Sequence, residues 1–378
     1  MQSLHRSLRF LTIPAATFGV LAFALPSAQS SQSAPATPDK HATIETLATG
    51  LDSPRKVTWD WKAHRLFVAE AGETCGEPPA YCFTKTGAIF TYKPGDARGK
   101  RIVTGLPALT VHSQARGPEA MGITEVNPLP GSGSPDDFRA SIGLSYDVTS
   151  ADRASFGPDA MPLGTIVRIT EDDEIILLAD LLAYEEEHDP DGVVVESNPY
   201  GMVTDATGST IADTAADDIM HVDYNGKASV FDVPPRIPGA ENTTVDPAPT
   251  AIARGQDGSY YVGELTGFPF PVGAARVWRY APGQERQLVS TGFTNIIDLA
   301  IDRKGRVLVL EMAEKSLASP DRTGRLVRIE RNGDHTVLAR EGLVHPGGVE
   351  VVPNGDVYLT NRTNEPNGGE LLRIRGLG

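Results

Sequence analysis

Most of the local signatures of catalysis are missing from this chain of 378 residues. There is no Gly-x-Ser-x-Gly elbow, no His-Glu-x-x-His pair, no P-loop and no Gly-x-Gly-x-x-Gly opening a helix, so those active-site classes are excluded. An excess of positive charge is also missing. Lys and Arg number 34 against 49 Asp and Glu, and the formal charge of -15 repels phosphate backbones and anionic lipid surfaces, which excludes nucleic acid as a partner. Past the first 25 residues no apolar run approaches membrane-spanning length. Cysteine is nearly absent. Cys75 and Cys82, with six residues between them, sit in a polar Gly/Pro-rich loop that offers no further metal ligands. In an exported chain they are expected to form a disulfide that pins the loop, two free thiols being the alternative.

What is present begins with an export signal. Residues 1–28 combine a basic start (His5, Arg6, Arg9), an apolar run over 10–25 and small residues near Ala28, the pattern of a signal peptide cleaved between about 28 and 34. Pro14 interrupts the run, which disfavours an uncleaved anchor. Residues 29–42 are rich in Ser, Ala, Pro and Gln and read as a disordered leader. The mature chain is expected to be secreted or periplasmic, monomeric and free of the membrane.

Residues 43–378 repeat one pattern. A Gly-Leu or Gly-Phe step stands at Gly50, Gly105, Gly292 and Gly342, with degenerate forms near 180 and 233. Each is followed by a strand that usually opens at proline: residues 54–59, 118–123, 199–203, 249–253, 295–301 and 346–351. Second strands follow at 66–70, 139–143, 209–213, 260–264, 307–311 and 357–361. Third strands carry an apolar-x-Arg-apolar signature at Arg168, Arg279, Arg328 and Arg373. Short strands bounded by Gly, Pro, Asn and Asp, repeating about every fifty residues, indicate an all-β six-bladed propeller rather than a sandwich. The last blade has three strands before the chain ends, and residues 43–48 are expected to supply its fourth and close the ring.

In this arrangement the long links (71–86, 144–163, 182–197, 236–246, 266–273 and 312–323) gather on one face, and the first-to-second turns on the other are short. Binding is expected on the long-loop face. There the repeat places chemically unlike residues at equivalent positions around the channel mouth, and Arg55, Glu119, Tyr200, Asp298 and His345 are the candidate binding residues. Glu119, Asn198 and Asp298 are candidate ligands for a cation, Ca²⁺ by preference because all donors are oxygens. His345 is the candidate acid-base group. A second column ends the second strands (Glu70, Gly143, Asp213, Glu264, Glu311, Asn361) and reads as backbone acceptors, with Ca²⁺ ligation the alternative. The acidic run 184–192 reads as a solvated loop.

The run Val262-Gly-Glu-Leu-Thr-Gly-Phe-Pro-Phe-Pro-Val-Gly-Ala-Ala-Arg-Val-Trp278, the Asn198-Pro-Tyr-Gly start, the Ala69-Glu-Ala-Gly strand end and the two-cysteine loop resemble the ScyD/ScyE family of exported NHL-like propeller proteins. The resemblance covers residue 43 to the end and departs from the repeat in the insert at 127–137. It implies secretion and six blades, and it carries over no activity and no catalytic residue. The functional expectation is a scaffold that binds a small molecule, glycan or protein on the long-loop face. The alternative is a Ca²⁺-dependent hydrolase of lactonase or esterase type at the central channel.

Overall fold

The computed structural model describes residues 42–75, 81–113, 117–144, 147–193, 195–239, 243–365 and 367–377. The signal peptide and nearly all of the leader expected from the sequence therefore lie outside the described residues. Six antiparallel sheets follow one another around a central axis, with inner strands Pro54–Asp60, Ile123–Pro128, Pro199–Asp205, Pro249–Arg254, Asn295–Ile301 and Gly348–Val351. This is the six-bladed propeller that the repeat predicts.

Strand periodicity explains the near-continuous apolar runs. Successive side chains point to opposite sheet faces, and in a ring of sheets both faces are buried. In the second strand of blade 1, Leu66 and Val68 enter the cluster shared with blade 6, and Phe67 and Ala69 enter the cluster shared with blade 2. Among the described residues six such clusters occur, one for each junction between neighbouring blades. Close approach at the axis depends on Gly348, since a Cβ there would stand 2.8 Å from the carbonyl oxygen of Arg55.

The ring closes as expected. Thr43–Leu51 is the outer strand of the last blade and pairs antiparallel with Gly369–Arg375, from Thr43 opposite Arg375 to Leu51 opposite Gly369. Arg373 donates to Glu45 at 2.5 Å across the same pairing. The disulfide between Cys75 and Cys82 is formed, with Cα atoms 6.3 Å apart.

Blade 2 corrects the sequence reading. Its inner strand is Ile123–Pro128, not residues 118–123. Residues Gly117–Met121 instead pair with Lys100–Ser113 as a fifth strand of the first sheet, Glu119 lying opposite Val111. The cause is a hairpin longer than the blade. Tyr81–Tyr92 and Lys100–Ser113 extend past the sheet, and the extension takes up the chain before it turns into blade 2 at Gly122. Pro118 imitates the proline that opens other inner strands. Glu119 is thus not the repeat equivalent of Arg55 or Asp298.

Among the described residues no helix is long and apolar enough to cross a membrane. Removing residues 29–49 is expected to expose the edge of Gly369–Arg375, and to lower the melting temperature markedly or cause aggregation. Unchanged melting by calorimetry would show that the ring does not depend on this strand.

Candidate functional site

Polar side chains cross the central channel in three layers. Nearest the long-loop face, Arg55 donates from Nη2 to the carbonyl of Ala120 at 2.5 Å and from Nη1 to Asn364 Oδ1 at 3.4 Å. Asn364 in turn donates to Glu119 Oε1 at 3.4 Å. Thr363 ties this group to His345 by donating to its carbonyl oxygen at 3.0 Å. The fifth strand of the first sheet and the blade 6 loop thus meet over the channel, and both Arg55 and Glu119 are buried.

The middle layer is a charged lock. Lys56 Nζ donates to Asp298 Oδ1 at 2.6 Å and to the Ile297 carbonyl at 2.5 Å, and lies 5.2 Å from the centre of the Tyr200 ring. The second oxygen of Asp298 accepts the backbone N–H of Val349 at 2.7 Å. Lys56 is 1% exposed, so blades 1, 3, 5 and 6 are joined here out of reach of bulk water.

Below the lock a cavity of about 930 Å³ opens at the opposite end, among the first-to-second turns. Glu125, Asn127, Thr58, Glu350 and Asp298 lie on its walls. Glu125 Oε1 accepts from Thr58 Oγ1 at 2.5 Å and from Asn127 Nδ2 at 3.3 Å, and Glu350 Oε2 accepts from the backbone N–H of Trp59 at 3.3 Å. Trp61, 68% exposed, stands at the rim with Lys62, Arg254 and Arg303. The blade 2 insert leans over the opening, held by Lys62 on the Ser132 carbonyl at 3.1 Å and by Arg65 on Asp136 at 2.6 Å.

Burial pushes the carboxyl of Glu125 up to about 8, and the neighbouring charge of Asp298 adds to this while Lys56 and Thr58 oppose it. Burial also pushes Glu350 up to about 8, against the N–H of Trp59 and with Asp298 adding. Asp298 is raised by burial and held back by Lys56. The Lys56–Asp298 ion pair therefore stands beside two carboxyl groups that, near neutral pH, are poised to donate or to accept a proton.

Of the five binding residues expected from the sequence, only Asp298 lines this cavity. The structure brings Arg55 and Glu119 together through Asn364 and places Tyr200 against Lys56, while His345 is half-buried in the upper layer. Asn198 is drawn elsewhere, its Oδ1 accepting the N–H of Leu144 at 3.2 Å. Glu119, Asn198 and Asp298 have separate partners and form no common ligand set for Ca²⁺. The ammonium of Lys56 stands beside Asp298, and among the described residues no three His, Cys, Asp or Glu side chains at the channel come together as a metal group.

The strand-end column serves the backbone. Glu70 accepts the N–H of Asp52 at 2.8 Å, Asp213 that of Asn198 at 2.6 Å, Glu311 that of Thr294 at 2.7 Å and Asn361 that of Val344 at 2.8 Å, each closing the approach to an inner strand. The third-strand arginines pair with acids: Arg168 with Asp137, Arg279 with Asp257, Arg328 with Glu330 and Arg373 with Glu45.

Sequence reasoning missed Glu125 and Glu350. Their signal was a charge set between apolar residues inside an inner strand, as in Ile123-Thr-Glu-Val and Gly348-Val-Glu-Val. The insert at 127–137 was a further sign that the short-turn end is not plain.

No protein-family model and no curated protein sequence matches the chain. Solved structures do. A luciferin-regenerating enzyme aligns at 12% identity and a TM-score of 0.52, covering 89% of this chain and 96% of its own. A glucose dehydrogenase aligns at 16% and 0.53, covering 88% and 99%. The calcium-binding protein regucalcin from Agrobacterium tumefaciens strain C58 aligns at 13% and 0.53, covering 91% and 96%. At these identities the likeness is one of fold.

Two tests follow from the lock and the raised carboxyls. Lys56→Met leaves Asp298 buried without its partner and is expected to cost about 3–5 kcal/mol in urea unfolding, part of it recovered by adding Asp298→Leu. A loss below about 1 kcal/mol would mean that water reaches the pair. Glu125 and Glu350, near 8 in the folded chain against about 4.3 unfolded, retain protons that the unfolded chain releases. Their contribution to stability is complete below about pH 4 and is lost as pH rises through about 8. The melting temperature should fall from about pH 5 to about pH 9, less steeply in the Glu125→Gln/Glu350→Gln double variant. An unaltered slope in that variant would overturn the assignment.

Proposed function

We propose that this is an exported, monomeric propeller of the ScyD/ScyE type that binds a small hydroxylated molecule, such as a saccharide or its lactone, in the short-turn cavity. The observation that carries the reading is the cavity of about 930 Å³ with Glu125 and Glu350 on its walls, both near 8, beside the Lys56–Asp298 pair. A volume of this size suits a small ligand. Carboxyl groups that both donate and accept suit hydroxyls, Asn127 and Thr58 add neutral partners, and the exposed Trp61 offers an apolar face for a ring to lie on. A glycan chain reaching in from outside fits the same chemistry. A protein partner finds less here, because the recognising groups lie inside a cavity.

The second reading is hydrolysis of a lactone or ester, and it rests on the same two carboxyls. With one ionised and the other protonated, the first takes a proton from the attacking water while the second delivers one to the departing alkoxide. Lys56 is tied to Asp298 and stabilises the ionised form of its neighbours. No cation is needed for this.

Calorimetric titration with a panel of mono- and disaccharides and δ-lactones tests both readings. Saturable binding weakened about tenfold or more by Glu125→Gln and by Trp61→Ala supports the site, on the scale expected when a buried polar partner is lost. Consumption of a lactone in the pH-stat with EDTA present, abolished by Glu125→Gln, would favour the enzyme. Failure of the wild type to bind any member of the panel would overturn the reading.

A further inference from the structure

A second acidic cluster lies away from the channel, where blades 2 and 3 meet. The helix Leu181–His188 ends at Asp189, which takes a left-handed conformation at φ 41° and donates its N–H to the Glu185 carbonyl at 2.9 Å. The turn through Asp189, Pro190, Asp191 and Gly192 then folds back on the helix. Carboxylate oxygens of Glu185, Asp189 and Asp191 come within 4.8 Å of one another. Carboxylates at that spacing repel strongly unless a proton or a cation lies between them.

An independent observation favours a cation. Glu185 is 2% exposed, and its Oε1 has no hydrogen-bond partner among the described residues. Asp189 Oδ1 is likewise buried and unpartnered. Behind them Asp218 is fully buried with neither carboxylate oxygen partnered, although it feels the charges of Asp213, Glu185, Asp191 and Asp217. Burying carboxylates without donors is among the costliest arrangements a fold can hold. The nearby Arg236 pairs with Asp246 and stands 3.9 Å from Asp217, and no ion pair joins it to Glu185, Asp189 or Asp218 among the described residues. His188 is occupied by its stacking on Tyr184.

We propose that Glu185, Asp189 and Asp191 bind a Ca²⁺ ion, with Asp218 as the buried charge behind it. The donors are all hard oxygens, which selects Ca²⁺ or Mg²⁺ over Zn²⁺ and Cu²⁺. Several carboxylates gathered by a flexible turn suit the larger, less demanding Ca²⁺ better than octahedral Mg²⁺. The carbonyl end of the helix adds favourable potential for a cation. Such an ion ties the helix that follows blade 2 to the start of blade 3. It is distinct from any cation at the channel, where Lys56 already stands.

The test is equilibrium Ca²⁺ binding to the full chain freed of divalent ions, read by calorimetry together with the melting temperature. The expected result is saturation with a single ion by about 1 mM Ca²⁺, the range in which extracellular modules load, and a melting temperature that rises with Ca²⁺ concentration. Glu185→Gln and Asp189→Asn are expected to weaken binding by about tenfold or more, while the channel variant Glu125→Gln binds as the wild type does. Should either variant fail to fold, Asp191→Asn in the turn carries the same expectation. No binding at about 1 mM, binding indifferent to these variants, equal affinity for Mg²⁺, or binding lost in Glu125→Gln would each overturn the proposal. None of these outcomes bears on whether the cavity takes a hydroxylated ligand.

Discussion

Closure of the ring is the constraint on which everything else depends. Each blade buries both faces against its neighbours, so six junctions form one circular core, and an open ring would leave a pair of apolar sheet faces in water. The chain meets this by pairing Thr43–Leu51 with Gly369–Arg375, bringing its first described strand against its last. Because the strand joins the last blade before the chain runs into the first, the two ends are held by backbone hydrogen bonds as well as by the Leu51, Tyr358 and Leu371 cluster. Ring geometry then fixes how near the six inner strands lie, and so how wide the channel is.

That channel does not run open through the molecule. Arg55 and Lys56, consecutive on one inner strand, reach to the fifth strand of the first sheet and the blade 6 loop, and to blade 5, and divide it. Burying an ammonium and a carboxylate together gains little net stability, since desolvation cancels much of their attraction. What the pair does is set charge. Glu125 and Glu350 are raised first by their own burial, and the negative oxygen of Asp298 adds to it. The long-loop end, covered by the fifth strand of the first sheet, and the short-turn end, where the cavity opens, exchange the roles that loop length alone suggests.

The repeated acids show how one residue type serves two ends. Glu70, Asp213 and Glu311 occupy the same place in three blades and accept the N–H groups that lead into inner strands, and Arg101 and Arg325 also pair with Glu70 and Glu311, so their charges are met. Glu185 and Asp218 stand outside the repeat, are as deeply buried, and have carboxylate oxygens without such donors. The contrast lies in partners and not in burial, which is why the second group points to a cation and the first does not.

The sequence by itself determined the six blades, the ring-closing strand, the disulfide and the structural duty of the strand-end acids. These follow from local period-two patterning and from a repeat in which each blade checks the others. It did not determine the register of blade 2, because Pro118 and Ile123 both look like the start of an inner strand, and only the long hairpin's pairing with Gly117–Met121 decides between them. Nor did it determine which end of the channel is open. That depends on where Arg55 and Lys56 find partners far along the chain, Lys56 on Asp298 of blade 5 and Arg55 on Ala120 of the added fifth strand. Glu125 and Glu350 were readable as charges but not as neighbours of one cavity, and the run 184–192 was readable as acidic but not as packed against the buried Asp218. Proximity between residues distant in sequence, and the loss of water that comes with it, exist only once the ring is closed.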